Sequence, residues 1–450
     1  MCSSDLWTFD LQYGLHDLKQ KLPLLIFPLI YSSSDFSKDN KNYPKWLRIF
    51  VFSVLAATLL SMLKYFGIFW ESPEDPRELS IFHSHIRFGL MIIIAIFTCF
   101  YLFQRSITHS RWIWLSISLW LIVFSLILQS LTSISILLFA LIMGLLFWPV
   151  RKKIKPIKYG ISILLGLIIA STIIYIYSIS LDMLVPKQSH AESLKKETNY
   201  GTKYGHFLDN KTLENGYYIN INIANKELEE QWNKMSHIKF AEKDLKGQYI
   251  KSTIKRFLTS KGLDKDKISL AKLSNQEITA IEKGIPNVNY INISNLELRI
   301  RETIWEIGAY FAGNNPGGNT LTQRFEFWRI ALAVIKEHPI IGVGTGDVKT
   351  EELKMFEKSN SILEKKYRKR AHNQYLTICV ALGVTGLIYF VLALIYPLLR
   401  FSFKDKPLFF ILMIVVLLSF LNEDTLEVQA GITFFAGLYG LFLNNPEDYS

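Results

Sequence analysis

Eight separate stretches of the chain are apolar over about the length that a lipid bilayer requires. A membrane-spanning helix needs about 20 apolar residues, with a range of about 17 to 25. A soluble protein would have nothing comparable against which to bury so many helices of this length. The sequence therefore predicts an all-α polytopic membrane protein, with spans at 47–69, 86–104, 112–128, 131–150, 157–181, 374–399, 407–421 and 430–444.

The loops between these spans alternate in charge. Acidic or neutral loops lie at 70–80 and at 422–429, and basic residues mark the loops at 38–48, 105–111, 151–158 and 400–406. Lys and Arg concentrate in the cytoplasmic loops of membrane proteins. The alternation therefore places the long polar segment 182–373 outside the cytoplasm.

Three parts follow from this topology. We predict N-terminal transmembrane helices at 1–181, an extracytoplasmic loop domain at 182–373 and C-terminal transmembrane helices at 374–450. A hydrophobic fraction of 50% beside a charged fraction of 20% fits such alternation of apolar spans and polar domains. The formal net charge of +11 is explained by topology, so we expect no nucleic-acid partner.

The beginning of the chain is unusual in two respects. Cys2–Leu6 has the sequence that a translated sequencing-adapter tail would have, and the apolar stretch Leu22–Tyr31 is too short to span a bilayer alone. We therefore expect the native protein to carry further helices upstream, with Leu22–Tyr31 either the end of such a helix or a re-entrant piece.

The loop domain carries signals of folded structure. Gly216–Ile223 alternates apolar and polar side chains, which predicts a strand. Ser274 begins a capping-box pattern, and Ser294 begins a second one that opens a helix to about Phe311. Further helices are predicted from Thr320 to the stop at Pro339, and from Thr350 to near Arg370. The loop domain is thus expected to be mainly helical.

An Arg-x-x-x-Trp spacing occurs twice in this domain. Arg301 with Trp305 and Arg324 with Trp328 each place both side chains on one helix face. An arginine beside an aromatic ring can be held by a cation–π contact while its guanidinium stays free for an anion. The alternative is a pair of surface arginines stapled to the helix.

A glycine-rich turn reads IGVGTGD and ends at Asp347. It lacks the lysine and the strand-to-helix context of a P-loop. The stretch, which contains Gly344 and Gly346, is instead predicted to form a tight turn that needs positive φ. Such a turn can expose backbone N–H groups to an anionic group, as an anion-binding nest.

A histidine stands at the entrance of the span that begins near 374. His372 can accept a proton near neutral pH, Asn373 can cap the helix, and Arg370 can pair with phosphate. A solvated polar residue at a helix start is the alternative. Glu423 lies with Asp424 in an outer turn, where acid groups either serve function or are solvated.

Metal chemistry has little support in the sequence. The histidines of the loop domain are scattered, and Cys99 and Cys379 lie inside apolar runs. Neither residue type shows metal-ligand spacing. We expect no metal and no other cofactor.

The segments TQRFEFWRIALAVIKEHPIIGVGTGD and AHNQYLTICVALGVTG together resemble the O-antigen ligase family of membrane glycosyltransferases. The resemblance is carried by Arg324, the GVGTGD turn and the pattern His372, Asn373, Gly383, Gly386. The inserted sequences ENGYYININ and LTSKGLDKD resemble the version of the family seen in Bacteroidetes-type bacteria.

The resemblance implies a GT-C-like membrane bundle with a large periplasmic loop, in the bacterial inner membrane. It implies transfer of a glycan from undecaprenyl pyrophosphate to an acceptor hydroxyl on lipid A–core, with inversion and without nucleotide or metal. Arg324 and His372 match the family's catalytic arginine and histidine, and Arg301 is our choice for a further arginine. Substrate-binding roles are expected for the remaining candidate residues, which are Arg370, Asn373, Gly344, Gly346, Asp347, Trp328 and Glu423.

Other functions stay open at this point. An O-antigen or exopolysaccharide polymerase would share the architecture and the donor, with a second lipid-linked repeat as acceptor. A protein O-oligosaccharyltransferase is a third enzyme of this type. A transporter or an assembly factor is the non-enzymatic alternative, against which the spans carry few ionisable groups.

Overall fold

The structure is a computed structural model of the chain. It describes residues 8–33, 42–73, 75–106, 110–147, 155–190 and 192–444. The adapter-like segment Cys2–Leu6 and the first half of the basic loop at 151–158 lie outside these residues.

Within the described residues the architecture is almost entirely helical. The helices are α1 (Leu11–Lys21), α2 (Pro23–Ser33), α3 (Tyr43–Tyr65), α4 (His85–Arg105), α5 (Ser110–Ile127), α6 (Leu131–Phe147), α7 (Lys155–Leu184), α8 (Asn225–Met235), α9 (Ile250–Ser260), α10 (Lys267–Ala271), α11 (Asn275–Glu282), α12 (Asn295–Phe311), α13 (Thr320–Glu337), α14 (Val348–Lys358), α15 (Gln374–Arg400), α16 (Pro407–Ser419) and α17 (Gln429–Leu443). Short 3₁₀ turns lie at Pro76–Leu79, Val288–Tyr290, Lys365–Tyr367 and Thr425–Glu427, and two strands, β1 (Leu213–Glu214) and β2 (Tyr217–Tyr218), pair antiparallel.

Each predicted span coincides with an apolar helix. Helices α3, α4, α5, α7 and α15 are long and apolar enough to cross a membrane, and α6, α16 and α17 are shorter apolar helices. In lipid, a helix satisfies every backbone N–H and C=O within its own segment. The prediction of an all-α polytopic membrane protein is confirmed.

The chain forms two compact units. The first comprises Met1–Gly166, Glu326–Ser361 and Arg368–Ser450, and the second comprises Leu167–Phe325 and Ile362–Tyr367. The first unit thus includes α14 and the glycine-rich turn, which the sequence-based division assigned to the loop domain. The membrane boundaries at 181 and 373 stay predictions.

The core of the first unit is built around α4. Its side chains are buried on nearly every face, and they pack with those of α5, α6 and α16. Leu90, Ile92 and Ala95 are at most 1% exposed. A helix that is apolar all round belongs in the interior of a bundle.

The second unit has its own core beside α12. Trp232, Phe257 and Leu270, from α8, α9 and α10, are fully buried together. The predicted capping box at Ser274 is present, and Ser294 caps a helix that ends at Phe311 as predicted. Thus the helix signals of this unit are confirmed.

Two predicted elements are wrong in extent. Gly216–Ile223 is not one strand, because Asn215 and Gly216 adopt positive φ and form the turn of the β1–β2 hairpin. The helix predicted from Thr350 to near Arg370 is α14, which begins at Val348 and ends at Lys358. The chain breaks there because Asn360 takes a left-handed conformation.

Of the two interpretations of the Arg301–Trp305 spacing, the cation–π contact is not the one found among the described residues. Arg301 pairs with Glu297, one turn earlier on the same helix, at 2.9 Å. The ring of Trp305 is instead covered by Arg256, whose guanidinium carbon lies 3.5 Å from the ring centroid. Arg256 in turn pairs with the fully buried Glu214, so this cation–π contact anchors the hairpin within the second unit.

Candidate functional site

A polar pocket of about 450 Å³ lies within the first unit. Its walls come from α1, the first turn of α4, α14, the segment before α15 and the turn between α16 and α17. The lining residues are Tyr13, Arg87, Lys349, Glu352, Leu353, Phe356, Arg368, Lys369, Arg370, His372, Asp424, Glu427 and Val428. Five cationic side chains therefore face three carboxyl groups.

His372 lies at this pocket because the start of α15 is fixed in detail. Its backbone adopts φ +47°, and its N–H donates to Asp424 Oδ2 at 3.1 Å. The side chain of Asn373 caps the helix by accepting from the N–H of Leu376. A positive φ in a non-glycine residue stores strain that the surrounding contacts must offset. The contacts of Asp424 and Asn373 thus fix the start of α15, where His372 lines the pocket.

A buried amide ties α15 to the opposite turn. Gln374 is fully buried, and its Nε2 donates to Glu427 Oε1 at 3.0 Å while its Oε1 accepts from the N–H of Leu426 at 2.7 Å. Both hydrogen-bonding ends of the amide are therefore satisfied. Gln374 lies beside the predicted residues but was not itself predicted.

Arg370 belongs to a buried charge cluster. It donates to Glu427 Oε2 at 3.3 Å, and Glu427 also pairs with Lys21 of α1 at 3.2 Å. Burial alone would raise the pKa of Glu427, but the charges of Lys21 and Arg370 outweigh it and lower that pKa. Burial raises the pKa of Asp424, although Arg370 opposes this shift. Arg370 thus stays charged at one wall of the pocket.

Glu352 is a pocket residue that sequence reasoning missed. It is 3% exposed, and neither carboxyl oxygen makes a hydrogen bond of good geometry with the described residues. Burial raises its pKa to about 8, although Arg370 and the backbone of Ala371 act in the opposite direction. The sequence pattern that could have indicated its burial is an acidic residue on the apolar face of α14. The buried residues of that helix are Val348, Glu352, Met355 and Phe356.

The glycine-rich turn is docked onto α15. The N–H groups of Val343 and Gly344 donate to the carbonyls of Val380 and Ala381, both at 2.9 Å. These carbonyls are available because α15 breaks at Gly383, with φ 67° and ψ −173°. The Gly344 amide that an anion-binding nest would use is therefore already engaged by the protein.

Gly346 and Asp347 hold the N-terminal segment instead. Asp347 accepts hydrogen bonds from Thr8 Oγ1 at 2.9 Å and from the N–H groups of Phe9 and Asp10 at 2.6 and 3.2 Å. A Cβ on Gly346 would lie 2.3 Å from the carbonyl oxygen of Asp10. These contacts give the turn a packing role.

The remaining predicted site residues lie outside the pocket lining. Arg324 is 8% exposed and lies in the second unit with Arg301. Trp328 lies on α13 in the first unit. Glu423 is 6% exposed and faces Arg87 at 3.8 Å. Among the predicted residues, the pocket thus brings together His372 and Arg370.

Potential metal ligands are not grouped in the described part of the chain. Within the ranges that the structure covers, no group of three or more His, Cys, Asp or Glu side chains is placed to hold a metal ion. Asp424 and Glu427 of the pocket are engaged with arginine, lysine or backbone donors, and the oxygens of Glu352 make no hydrogen bond of good geometry with the described residues.

The fold and the pocket define a polytopic membrane protein with a cationic pocket at the head of a membrane helix. Residues 275–391 match the O-antigen ligase family, so the chain carries a domain of that family and the resemblance is confirmed. The matched range includes Arg301, Arg324, Arg370 and His372. The match supports a function of the O-antigen ligase or polymerase type. No curated protein sequence matches the chain.

Proposed function

We propose that this protein is an O-antigen ligase-type glycosyltransferase on the periplasmic face of the bacterial inner membrane. It moves a glycan from undecaprenyl pyrophosphate to a hydroxyl of lipid A–core or of another glycan acceptor. The donor and the acceptor are both anchored in the bilayer, so membrane lipids surround the reaction. Confinement of both substrates to one plane lowers the entropic cost of their meeting.

The observation that carries this proposal is the composition of the pocket. A histidine held by backbone contacts stands beside an excess of cationic side chains at the start of a membrane helix. A pyrophosphate leaves readily when its charge is neutralised, and an acceptor hydroxyl attacks readily when a base takes its proton. A pocket that offers both groups suits a substrate that is half lipid phosphate and half sugar.

Each of the candidate residues has a separate role in the proposed transfer. His372 accepts the proton of the acceptor hydroxyl as its oxygen attacks the anomeric carbon, a contribution of about 10²–10⁴-fold. The bond from that carbon to the phosphate oxygen breaks, and its electron pair stays on the pyrophosphate. Arg370 binds the phosphate at the pocket. Arg324, with Arg301 as the further arginine, matches the catalytic arginines of the family by resemblance. The attack from the opposite face inverts the anomeric carbon and requires no metal.

The test is a transfer assay with the full chain in nanodiscs. An undecaprenyl-pyrophosphate-linked glycan is supplied with or without lipid A–core, and the products are weighed by mass spectrometry. We expect one donor glycan on lipid A–core. Multimers of the repeat on undecaprenyl pyrophosphate, formed without the acceptor, would instead assign a polymerase.

A third substrate class is tested in the same assay. Glycan transferred to a protein hydroxyl would assign an O-oligosaccharyltransferase. Absence of transfer to all three acceptors would contradict the proposal and leave a transporter or an assembly factor.

A further inference from the structure

Glu352 is a buried group of the pocket that the reaction described above does not use. It lies on α14 with its neighbours Lys349, Leu353 and Phe356, all of which line the same pocket. A carboxyl group buried without hydrogen bonds costs free energy in either protonation state, and the cost is larger for the charged one. Burial without a good partner within the described residues therefore suggests that a ligand supplies the partner.

The surroundings of Glu352 show which partner fits. The groups that face it or share its pocket are Tyr13 of α1, Arg87 of α4, Lys349 of α14, Arg368, Lys369, Arg370 and His372 before α15, and Asp424 and Glu427 of the turn before α17. Arg370 Nε is also buried without a hydrogen-bond partner among the described residues. The pocket therefore holds an unsatisfied N–H donor beside an unsatisfied carboxyl group.

A phosphoryl group satisfies both of these atoms at once. Its oxygens accept from the guanidinium N–H of Arg370 and from the O–H of a protonated carboxylic acid, whereas an ionised carboxylate would repel it. We propose that Glu352 is held as a neutral carboxylic acid and donates its O–H to a phosphoryl oxygen of a pyrophosphate bound beside Arg370. This inference rests on the proposed function, because the pyrophosphate belongs to the lipid-linked donor.

The raised pKa of Glu352 gives this role a pH signature. With a pKa of about 8, the carboxyl group is mostly neutral at pH 7 and mostly ionised at pH 9. The apparent affinity falls in proportion to the fraction of the binding-competent form. Affinity for the anion should therefore fall by about tenfold between pH 7 and pH 9.

The experiment measures anion affinity of the full chain by calorimetry in nanodiscs of zwitterionic lipid. The probes are inorganic pyrophosphate and sulfate, which keeps the same charge over this pH range. For the unaltered protein we expect the tenfold loss of affinity with sulfate, because the charge of pyrophosphate itself changes between pH 7 and pH 9. An affinity for sulfate that does not change between pH 7 and pH 9 would overturn the proposal without the use of any variant.

Two substitutions separate hydrogen bonding from charge. Glu352→Gln keeps a donor that does not titrate, so its affinity should match the unaltered protein at pH 7 and stay constant to pH 9. Glu352→Leu has no donor, so its affinity should be lower than that of Glu352→Gln at both pH values. Equal affinities in these two variants would refute the hydrogen bond. Glu351→Gln is the matched control, because Glu351 pairs with Lys354 and does not line this pocket, and it should retain the pH dependence.

The source of the phosphoryl group is tested by adding an anionic phospholipid to the nanodisc. Affinity for pyrophosphate should not change. Competition by the phospholipid would assign the pocket to a lipid headgroup and overturn the assignment to pyrophosphate. Since these measurements do not require transfer, pH-dependent binding in a protein that fails the transfer assay would count against the proposed function alone.

Discussion

The histidine at the entrance of α15 is held in a strained backbone conformation by specific contacts. A left-handed conformation is costly outside glycine and asparagine, typically by about 1–3 kcal/mol. His372 adopts it because its N–H is held by Asp424, and Asp424 is itself fixed by Thr377 Oγ1 at 2.8 Å. Strain offset by such specific contacts is typical of functional positions.

Replacement of His372 or Arg324 tests the assigned chemistry. We expect His372→Ala to lower the transfer rate by about 10²–10⁴-fold, because the base is lost. Arg324→Ala should lower it by about 10²–10³-fold through loss of charge stabilisation. The rate is measured by mass spectrometry of the product, with thermal unfolding to check the fold. His237→Ala, an exposed histidine of the second unit, serves as control, and full activity of His372→Ala would remove that residue from the mechanism.

Glu352 also links stability to pH. Its pKa rises from an ordinary value near 4.5 to about 8 on folding, so the folded state binds the proton more tightly than the unfolded state. The resulting stabilisation is complete below pH 4.5 and is lost as the pH rises towards 8. The unfolding temperature of Glu352→Gln, relative to the unaltered protein, should therefore increase between pH 5 and pH 8. A difference that stays constant over this range would show that Glu352 does not titrate.

At the scale of elements, the break in α15 organises the first unit. Glycine at position 383 frees the carbonyls of Val380 and Ala381, which accept from the glycine-rich turn, while the N–H of Val384 donates to the carbonyl of Pro339 at 2.8 Å. Two segments that are distant in the sequence are thereby joined by backbone hydrogen bonds. The resemblance placed both segments in one motif, and the structure shows the physical reason for their pairing.

Substitution of Gly383 tests this junction. Its φ and ψ are accessible essentially to glycine alone, and a Cβ would lie 2.1 Å from the carbonyl oxygen of Ile340. We expect Gly383→Ala to lower the unfolding temperature clearly and to reduce transfer. Gly166→Ala in α7 is the matched control, since a Cβ there meets nothing within 4 Å. Equal unfolding temperatures for the two variants would contradict the docking role.

The sequence predicts elements that depend on local signals and misses those that depend on distant partners. The caps at Ser274 and Ser294 and the apolar spans rest on neighbouring residues, so they were predictable. The Arg256 contact with Trp305 joins residues far apart in sequence, and no spacing rule anticipates it. Glu352 was missed for the same reason, because its burial depends on segments before α15 and after α16.

At the scale of the whole molecule, the charge of the loops predicts the orientation in the membrane. Single cysteines test it after replacement of the three native cysteines by serine. Leu245 is 75% exposed in the second unit, and the predicted topology places this residue in the periplasm. Lys404 is exposed in the basic turn after α15, and the predicted topology places this turn in the cytoplasm. A membrane-impermeant maleimide should label Leu245→Cys in cells with a permeabilised outer membrane. It should label Lys404→Cys only after the inner membrane is opened. Labelling in the reverse order would invert the topology and place the His372 pocket on the cytoplasmic side, where the proposed periplasmic transfer could not occur.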